Sequence, residues 1–252
     1  DAGNREFGWS TSDNTISGTP VKPNLQQQNA WQKNTHEWLT FLNAVGAKFV
    51  AAANSSAGNK NAAHYVCDDD NDQVTILEAL AEAEGSPVYL FEGDYHFGAR
   101  IILPANSKII GLGRASVQMD LADTYCFYIF NVSNISIENI VMADGTNSAA
   151  SGFYISGASH IKARGIHFET SSISVFSAAD GFSLAGNVSF CDIEASFATD
   201  SIESASVNVN QAALGMKIST QNARSVRSNF VHEKDSFKGN GTYTYYENAG
   251  PY

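Results

Sequence analysis

Apolar positions along this chain change period three times, and each change predicts a different kind of element. Trp31, Thr35, Trp38, Leu42, Val45, Phe49 and Ala52 recur at alternating spacings of four and three, a heptad seam one stripe wide, which predicts a helix from Leu25 to Ala53. So narrow a stripe fits two arrangements: an amphipathic helix packed on its own domain, or a bundle of identical helices about a symmetry axis. Ahead of it, residues 1–24 are rich in Gly, Ser, Thr and Asn and close with Pro20 and Pro23, reading as an extended arm. Behind it, residues 51–63 (AAANSSAGNKNAA) read as a linker of small and polar residues.

A second helix is predicted over Asp72–Glu84. Asp70 or Asp72 serves as its N-cap, Val74, Leu77, Leu80 and Ala81 as its apolar face, and Gly85 as its stop. The acids Asp68, Asp69 and Asp70 sit where a helix dipole welcomes negative charge, and a calcium site is the alternative reading. A β-rich stretch, Val88 to Phe97, follows.

From Ile109 onward the pattern repeats about every 26 residues. Superposing NISIENIV from Asn134, HIKARGIH from His160, NVSFCDIE from Asn187 and SVRSNFVH from Ser225 aligns the pairs Ile135/Ile140, Ile161/Ile166, Val188/Ile193 and Val226/Val231. Upstream of each lies an alternating strand: Phe127–Phe130, Phe153–Ile155, Phe182–Leu184 and Leu214–Ile218. The residue before each first aliphatic is Asn134, His160, Asn187 or Ser225, and Asn and His tolerate the left-handed backbone that a one-residue bend requires. A chain winding in this way sets equivalent residues of successive turns about 4.8 Å apart. Each buried aliphatic in such a column contributes roughly 1.5–3 kcal/mol. The intervals run 26, 27 and 38, so the last turn is expected to carry an insertion around Ser204–Gln211, displayed as a side loop.

The succession of helix Asp72–Glu84, strand Val88–Phe91, Gly93-Asp94-Tyr95, Leu103-Pro104 and Ile109-Ile110-Gly111-Leu112-Gly113 resembles the opening of the pectin-lyase-like superfamily of right-handed parallel β-helices. The resemblance covers about residues 64–236. It implies a mainly β, single-stranded right-handed parallel β-helix with an N-terminal helical segment and a capping helix. Three regions follow: an arm and heptad helix for attachment and oligomerisation over 1–63, the capped coil over 64–236, and an aromatic tail over 237–252. Thr19-Pro20, Pro23, Gln26, Trp31 and Glu37-Trp38-Leu39-Thr40-Phe41-Leu42 are similar to the segment preceding spike or fibre domains in bacteriophage tail proteins, although Glu37 replaces the Asn usual there and no Gly-Pro-Pro phrase occurs. This second resemblance implies a trimer, with Trp31, Trp38, Leu42, Val45 and Phe49 in its oligomerisation seam.

Composition narrows the function. With 43% apolar and 16% charged residues the chain has enough apolar side chains for a core. No run of eighteen apolar residues is present, and no cofactor or metal is called for. Asp1 in place of an initiator Met is expected of a processed or partial chain. A net charge of −11 repels nucleic acid and anionic lipid, so neither is an expected partner. Cys67, Cys126 and Cys191 are odd in number and far apart, as buried free thiols would be. The Asn-x-Asp, Asp-Asp and Gly-His-Gly phrases of superfamily hydrolases are missing from residues 100–236.

Among the remaining carboxylates Asp192 and Glu194, two apart on one strand face, make the best catalytic pair, with Glu169 a further candidate. Solvated outward positions are the plainer reading of all three. Glu194, His167 and His232 each follow a repeated aliphatic and are expected to share a ladder. His160 and His167 are read as turn and surface residues, with general acid–base work as the alternative. Tyr243, Tyr245 and Tyr246 either cover the last turn or offer faces for sugar rings. The leading expectation is therefore a non-enzymatic, homotrimeric spike or fibre protein on a virion surface or outside the cell. It would contact other structural proteins of that surface and host polysaccharide. The rivals are a polysaccharide depolymerase, lyase or glycoside hydrolase, and a self-assembling extracellular filament subunit.

Overall fold

The computed structural model describes Lys33, Glu37 and residues 46–119, 125–144, 151–169, 182–185 and 188–197, and then strands at 207–209, 213–214, 217–221, 225–228, 236–239 and 242–245. The chain divides into two compact units, Asp1–Gly46 and Ala47–Tyr252. In the first, Lys33 and Glu37 are helical, exposed and 3.7 Å apart, an i,i+4 ion pair lying off the predicted seam. Trp31, Trp38, Leu42 and Val45 lie outside the described residues.

The second unit is built of parallel strands. The N-terminal part carries β1 (Lys48–Ala51), α1 (Ala57–Ala62), β2 (Tyr65–Val66), α2 (Asp72–Ala83), β3 (Val88–Leu90), β4 (Gly93–Phe97) and β5 (Ile101–Ile102). The middle carries β6 (Lys108–Met119), β7 (Tyr125–Phe130), β8 (Ser133–Asp144), β9 (Ser151–Ser156), β10 (Ser159–Phe168), β11 (Phe182–Ala185) and β12 (Val188–Phe197). Then come β13 (Val207–Val209), β14 (Ala213–Leu214), β15 (Lys217–Gln221), β16 (Ser225–Ser228), β17 (Ser236–Gly239) and β18 (Thr242–Tyr245). One sheet runs β17-β15-β12-β10-β8-β6-β3-β1-β2, with β14 beside β12 and β4 beside β6. The other runs β18-β16-β13-β11-β9-β7-β5. From β5 to β13 the chain visits the two sheets in turn, laying each strand parallel to the one a rung before.

Columns of buried side chains follow from that register. In the first sheet Ile135 pairs with Ile161 and Ile161 with Cys191; beside them run Ile109, Ile137, Ala163 and Ile193. In the second, Ile101, Phe127 and Phe153 form one buried column and Ile129, Ile155 and Leu184 another. The Phe127 and Phe153 rings stack 4.9 Å apart. The corner entering the first sheet is left-handed in successive rungs, with φ of +65° at Asn106, +61° at Asn134, +56° at His160 and +53° at Phe190. Asn134 Nδ2 donates to Asn106 Oδ1 at 3.1 Å, and the His160 and Phe190 rings stack 5.0 Å apart.

Asn134 and His160 thus do what the sequence pattern asks, but the third corner is Phe190, three residues beyond Asn187. Ile161 accordingly meets Cys191 and not Val188. Past that corner Gly165, at φ +62°, is an extra residue of β10 relative to β12 that resets the alternation of its buried side chains, and the register against β12 shifts by one there. Further along, Ser225–Ser228 joins the second sheet against Val207–Val209, while Lys217–Gln221 joins the first, so those two strands exchange the places expected of them. The stretch read as an insertion contains β13, a strand of the second sheet between β11 and β16. Residues 236–245 likewise extend both sheets through β17 and β18, instead of forming a separate tail from 237.

The N-terminal boundary also moves. Lys48–Ala51 is a strand, not the end of the helix predicted to Ala53, and residues 57–62 of the expected linker form α1, capped by the Ser56 side chain. Phe49 and Val50 favour strands, and pairing with β2 and β3 on either side overrides helical spacing. Phe49 is therefore no seam residue. It is 1% exposed, and its ring stacks on Tyr89, Phe91 and His64.

Helix α2 closes this end by burying Ile76, Ala79, Leu80 and Ala83, a face turned from the predicted one, since Val74 and Ala81 are exposed and Leu77 only partly buried. Its N-cap is Asn71, in a left-handed conformation with no side-chain capping bond. Asp72 instead turns inward, wholly buried, and its Oδ2 accepts from the His96 N–H at 2.8 Å. Burial pushes the Asp72 carboxyl above its usual range. At the other terminus Glu84 and Gly85 are both left-handed and end the helix.

All three thiols are free and buried, and burial pushes Cys126 and Cys191 up to about 12.

At Gly93, the first residue of β4, the chain passes close to the turn that follows β1. Its φ is +147°, and a Cβ there would sit 2.6 Å from Ala52 Cβ. Gly93→Ala should lower stability by about 2 kcal/mol or more in urea titrations monitored by circular dichroism. A midpoint equal to wild type would show that this approach is not tight.

Candidate functional site

Strand alternation gives each sheet an outward face, and the two faces differ in chemistry. On the first sheet a row of charged side chains crosses the outward face of β8, β10, β12 and β15. Lys162 Nζ donates to Glu138 Oε1 at 2.7 Å; Arg164 Nε donates to Asp192 Oδ2 at 3.1 Å, with Nη2 on the same oxygen; Lys217 Nζ stands 3.7 Å from Asp192 Oδ1. Signs thus alternate from rung to rung. Burial pushes the Glu138 carboxyl up, but hydrogen bonds from Lys162 and Ser136 outweigh it and leave Glu138 below the usual carboxylate range. The Asp192 carboxylate in turn raises the Arg164 guanidinium.

The sequence-predicted carboxylates therefore separate into different environments. Asp192 and Glu194 do share the outward face of β12, but Asp192 is held by two cations, while Glu194 is exposed and pairs in register with Ser219. Glu169 lies beyond the end of β10, anchored through its N–H to the Met142 carbonyl at 2.8 Å, with its carboxylate against Arg114 and 3.9 Å from His167 Nε2. The expected ladder of His167 and Glu194 is absent: the register places Val141 and Ser196 beside His167. The corner at Phe190, three residues later than the repeat predicts, accounts for the difference, less the one residue taken up at Gly165. Ser196, whose Oγ lies 2.7 Å from His167 Nδ1, drew no attention in the sequence because its partner is set by that slipped register.

On the second sheet the outward face is aromatic. Ile102, Tyr128 and Tyr154 are neighbours in register, and the rings of Tyr128 and Tyr154 stack 4.9 Å apart at 8°. Tyr125 leans on Tyr154 at 5.1 Å, Phe130 lies 5.9 Å from Tyr128, and the Arg100 guanidinium sits 4.7 Å over the Tyr128 ring. Ile102 is 54% and Phe130 46% exposed, so this row is a surface and not a core. Tyr128 and Tyr154 stand 26 positions apart between buried neighbours, the one sequence signal that marks them. Tyr243 and Tyr245 occupy β18 in this same sheet, paired with Val226 and Ser228, whereas Tyr246 and His232 lie outside the described residues.

Among the described residues no three His, Cys, Asp or Glu side chains converge as a metal site. At the expected acid run, Asp69 Oδ1 instead lies 3.5 Å from His96 Nε2.

Comparison with protein-family models, with curated proteins and with solved structures finds no match for this chain.

The charge row yields a pH prediction. Because the folded value of Glu138 lies below its unfolded one, the stability it contributes is present above about pH 4.3 and is lost as pH falls through the folded value. Glu138→Gln should lower the urea midpoint at neutral pH, by less than about 1 kcal/mol given solvent screening, and the loss should shrink as pH is lowered below about 4.3. A loss that stays the same as pH falls would assign the effect to packing.

Proposed function

We propose that residues 47–245 form a short, single-stranded, right-handed parallel β-helix of the pectin-lyase-like kind. It serves as the attachment module of a virus-type surface spike or fibre and holds host polysaccharide without cleaving its chain. The observation that carries this reading is the outward aromatic row Tyr125, Tyr128, Phe130 and Tyr154. Stacked on one another, the half-buried Tyr128 and Tyr154 turn ring edges outward beside the exposed Phe130, a rigid aromatic band for the apolar faces of sugars to pack against, and Arg100 adds a cation for an acidic or hydroxyl-rich ring.

Supporting the coil's hand is the general preference of parallel crossovers for the right-handed turn. Supporting attachment over depolymerisation is the engagement of Asp192 by Arg164 and Lys217, which leaves no free carboxylate pair on β12 of the kind glycoside hydrolysis uses. The net charge of −11 disfavours nucleic acid and anionic lipid as partners. The seam of Trp31, Trp38, Leu42 and Val45, without Phe49, brings three copies together in this reading. The exposed Lys33–Glu37 pair accords with a helix there whose polar side faces water.

Two measurements test it. Tyr128→Ala and Tyr154→Ala should each weaken retention on immobilised bacterial surface polysaccharide about tenfold, or ~1.4 kcal/mol, with unchanged circular dichroism. Undiminished retention in both removes the aromatic row from binding. Mass in solution should correspond to a trimer, and Trp38→Asp should dissociate it; a wild-type monomer at micromolar concentration refutes the trimer.

A further inference from the structure

Around Ser196 the outward face of the first sheet carries a constellation that neither the charge row nor the aromatic row uses. His167 and Ser196 are register neighbours on β10 and β12, with Nδ1 and Oγ 2.7 Å apart. Glu169, two residues beyond His167 and thus on the same side of the chain, places Oε1 3.9 Å from Nε2 of that ring. Arg114 fixes the carboxylate from the far side, and the Met142 carbonyl holds the Glu169 backbone. Ser196 also lines a shallow open depression with Gly165, Ile166, Glu194, Ala195 and Ser219.

We infer that Ser196, His167 and Glu169 form a serine-hydrolase centre for small ester groups, with the depression as the acyl site. A hydroxyl within hydrogen-bond reach of an imidazole that faces a carboxylate through its other nitrogen has the arrangement that activates a serine nucleophile. In this centre the ring proton is on Nε2, toward Glu169, and the Ser196 hydroxyl donates to Nδ1. Attack of Oγ on the ester carbonyl carbon sends the serine proton to Nδ1. The acyl–oxygen bond then breaks, and the departing alcohol oxygen takes that proton, leaving an acyl-Ser196 ester. A water molecule gives one proton to Nδ1 and adds its oxygen to the acyl carbon. The bond to Oγ breaks, Ser196 recovers the proton, and a carboxylic acid leaves. The imidazolium formed twice in this cycle is what Glu169 stabilises, so Glu169 is a positioning and electrostatic residue, and Ser196 and His167 are the catalytic ones.

Size sets the substrate class. Small residues, Gly165, Ala195, Ser196 and Ser219, make up most of the lining beside Ile166 and Glu194, and the depression is partly open to solvent, which suits an acetyl-sized group on a larger alcohol better than a long acyl chain. This activity removes an ester and leaves the chain of any bound polymer whole. It is independent of the aromatic row, so loss of one does not imply loss of the other.

The test uses the full chain with p-nitrophenyl acetate and, separately, a fluorophosphonate probe followed by peptide mass spectrometry. Expected are steady release of p-nitrophenol and a label on the Ser196 peptide. Ser196→Ala and His167→Gln should each lower the hydrolysis rate by at least about 100-fold and abolish the label. Glu169→Gln should lower kcat about tenfold with KM unchanged, and Glu138→Gln should leave the rate as in wild type. A wild-type protein that hydrolyses no faster than Ser196→Ala and takes no label at Ser196 overturns the proposal. Should Ser196→Ala fail to fold, the label on the wild-type peptide decides alone.

Discussion

Parallel strands can stack in register only if the chain reverses direction outside the sheets and returns to the same height each time. Here the return is governed by single left-handed residues, Asn106, Asn134, His160 and Phe190, which bend the backbone into the first sheet at equivalent points of successive rungs. The bend is cheap for Asn and His and costly for Phe. Phe190 is held by the surrounding register and by the stack of its ring on His160. Once the corner is fixed, residues at +1 and +3 turn inward, and every rung delivers its apolar side chains to the same columns.

The same register that builds the core constrains the surface. Like charges stacked on neighbouring parallel strands would repel at close range, so a charged outward row persists only when its signs alternate. Glu138, Lys162 and Arg164, Asp192 and Lys217 follow that rule. The consequence for chemistry is that carboxylates inside the row are committed to neighbours. At its margin Glu169 is likewise held, by Arg114, with its other oxygen toward His167, and His167 meets Ser196. Aromatic rings face the opposite constraint, because stacking identical rings is favourable, and the second sheet repeats Tyr128 with Tyr154.

Much of the architecture was legible because a β period and a 26-residue repeat coincide, as at Ile135 and Ile161. Legibility ended where one residue changed the phase. Gly165 reads as an ordinary glycine in a strand, yet it is an extra left-handed residue that shifts the pairing beyond it by one; with the corner already at Phe190, three residues past Asn187, this sets Ser196 and not Glu194 beside His167. Phe49 misled in another way: its helical spacing is real, but pairing with β2 and β3 decides its conformation, and no local pattern reports that. Asp72 looked like a cap because acids favour helix starts, whereas the buried His96 N–H that claims it comes from a strand 24 residues on. The candidate site suffered most, since its members are neighbours across rungs and not along the chain.

Rung length is not constant: Ile135 to Ile161 is 26 residues, Ile161 to Cys191 is 30, and Lys217 to Ser236 is 19, yet all three intervals end in paired strands of one sheet. Between corners, then, the number of residues varies while successive strands still pair in parallel. For a lineage under pressure to change what it touches, the scaffold and the decoration are separately heritable. Codons can be inserted into the connecting segments, generation after generation, while the hydrophobic stack is inherited unaltered.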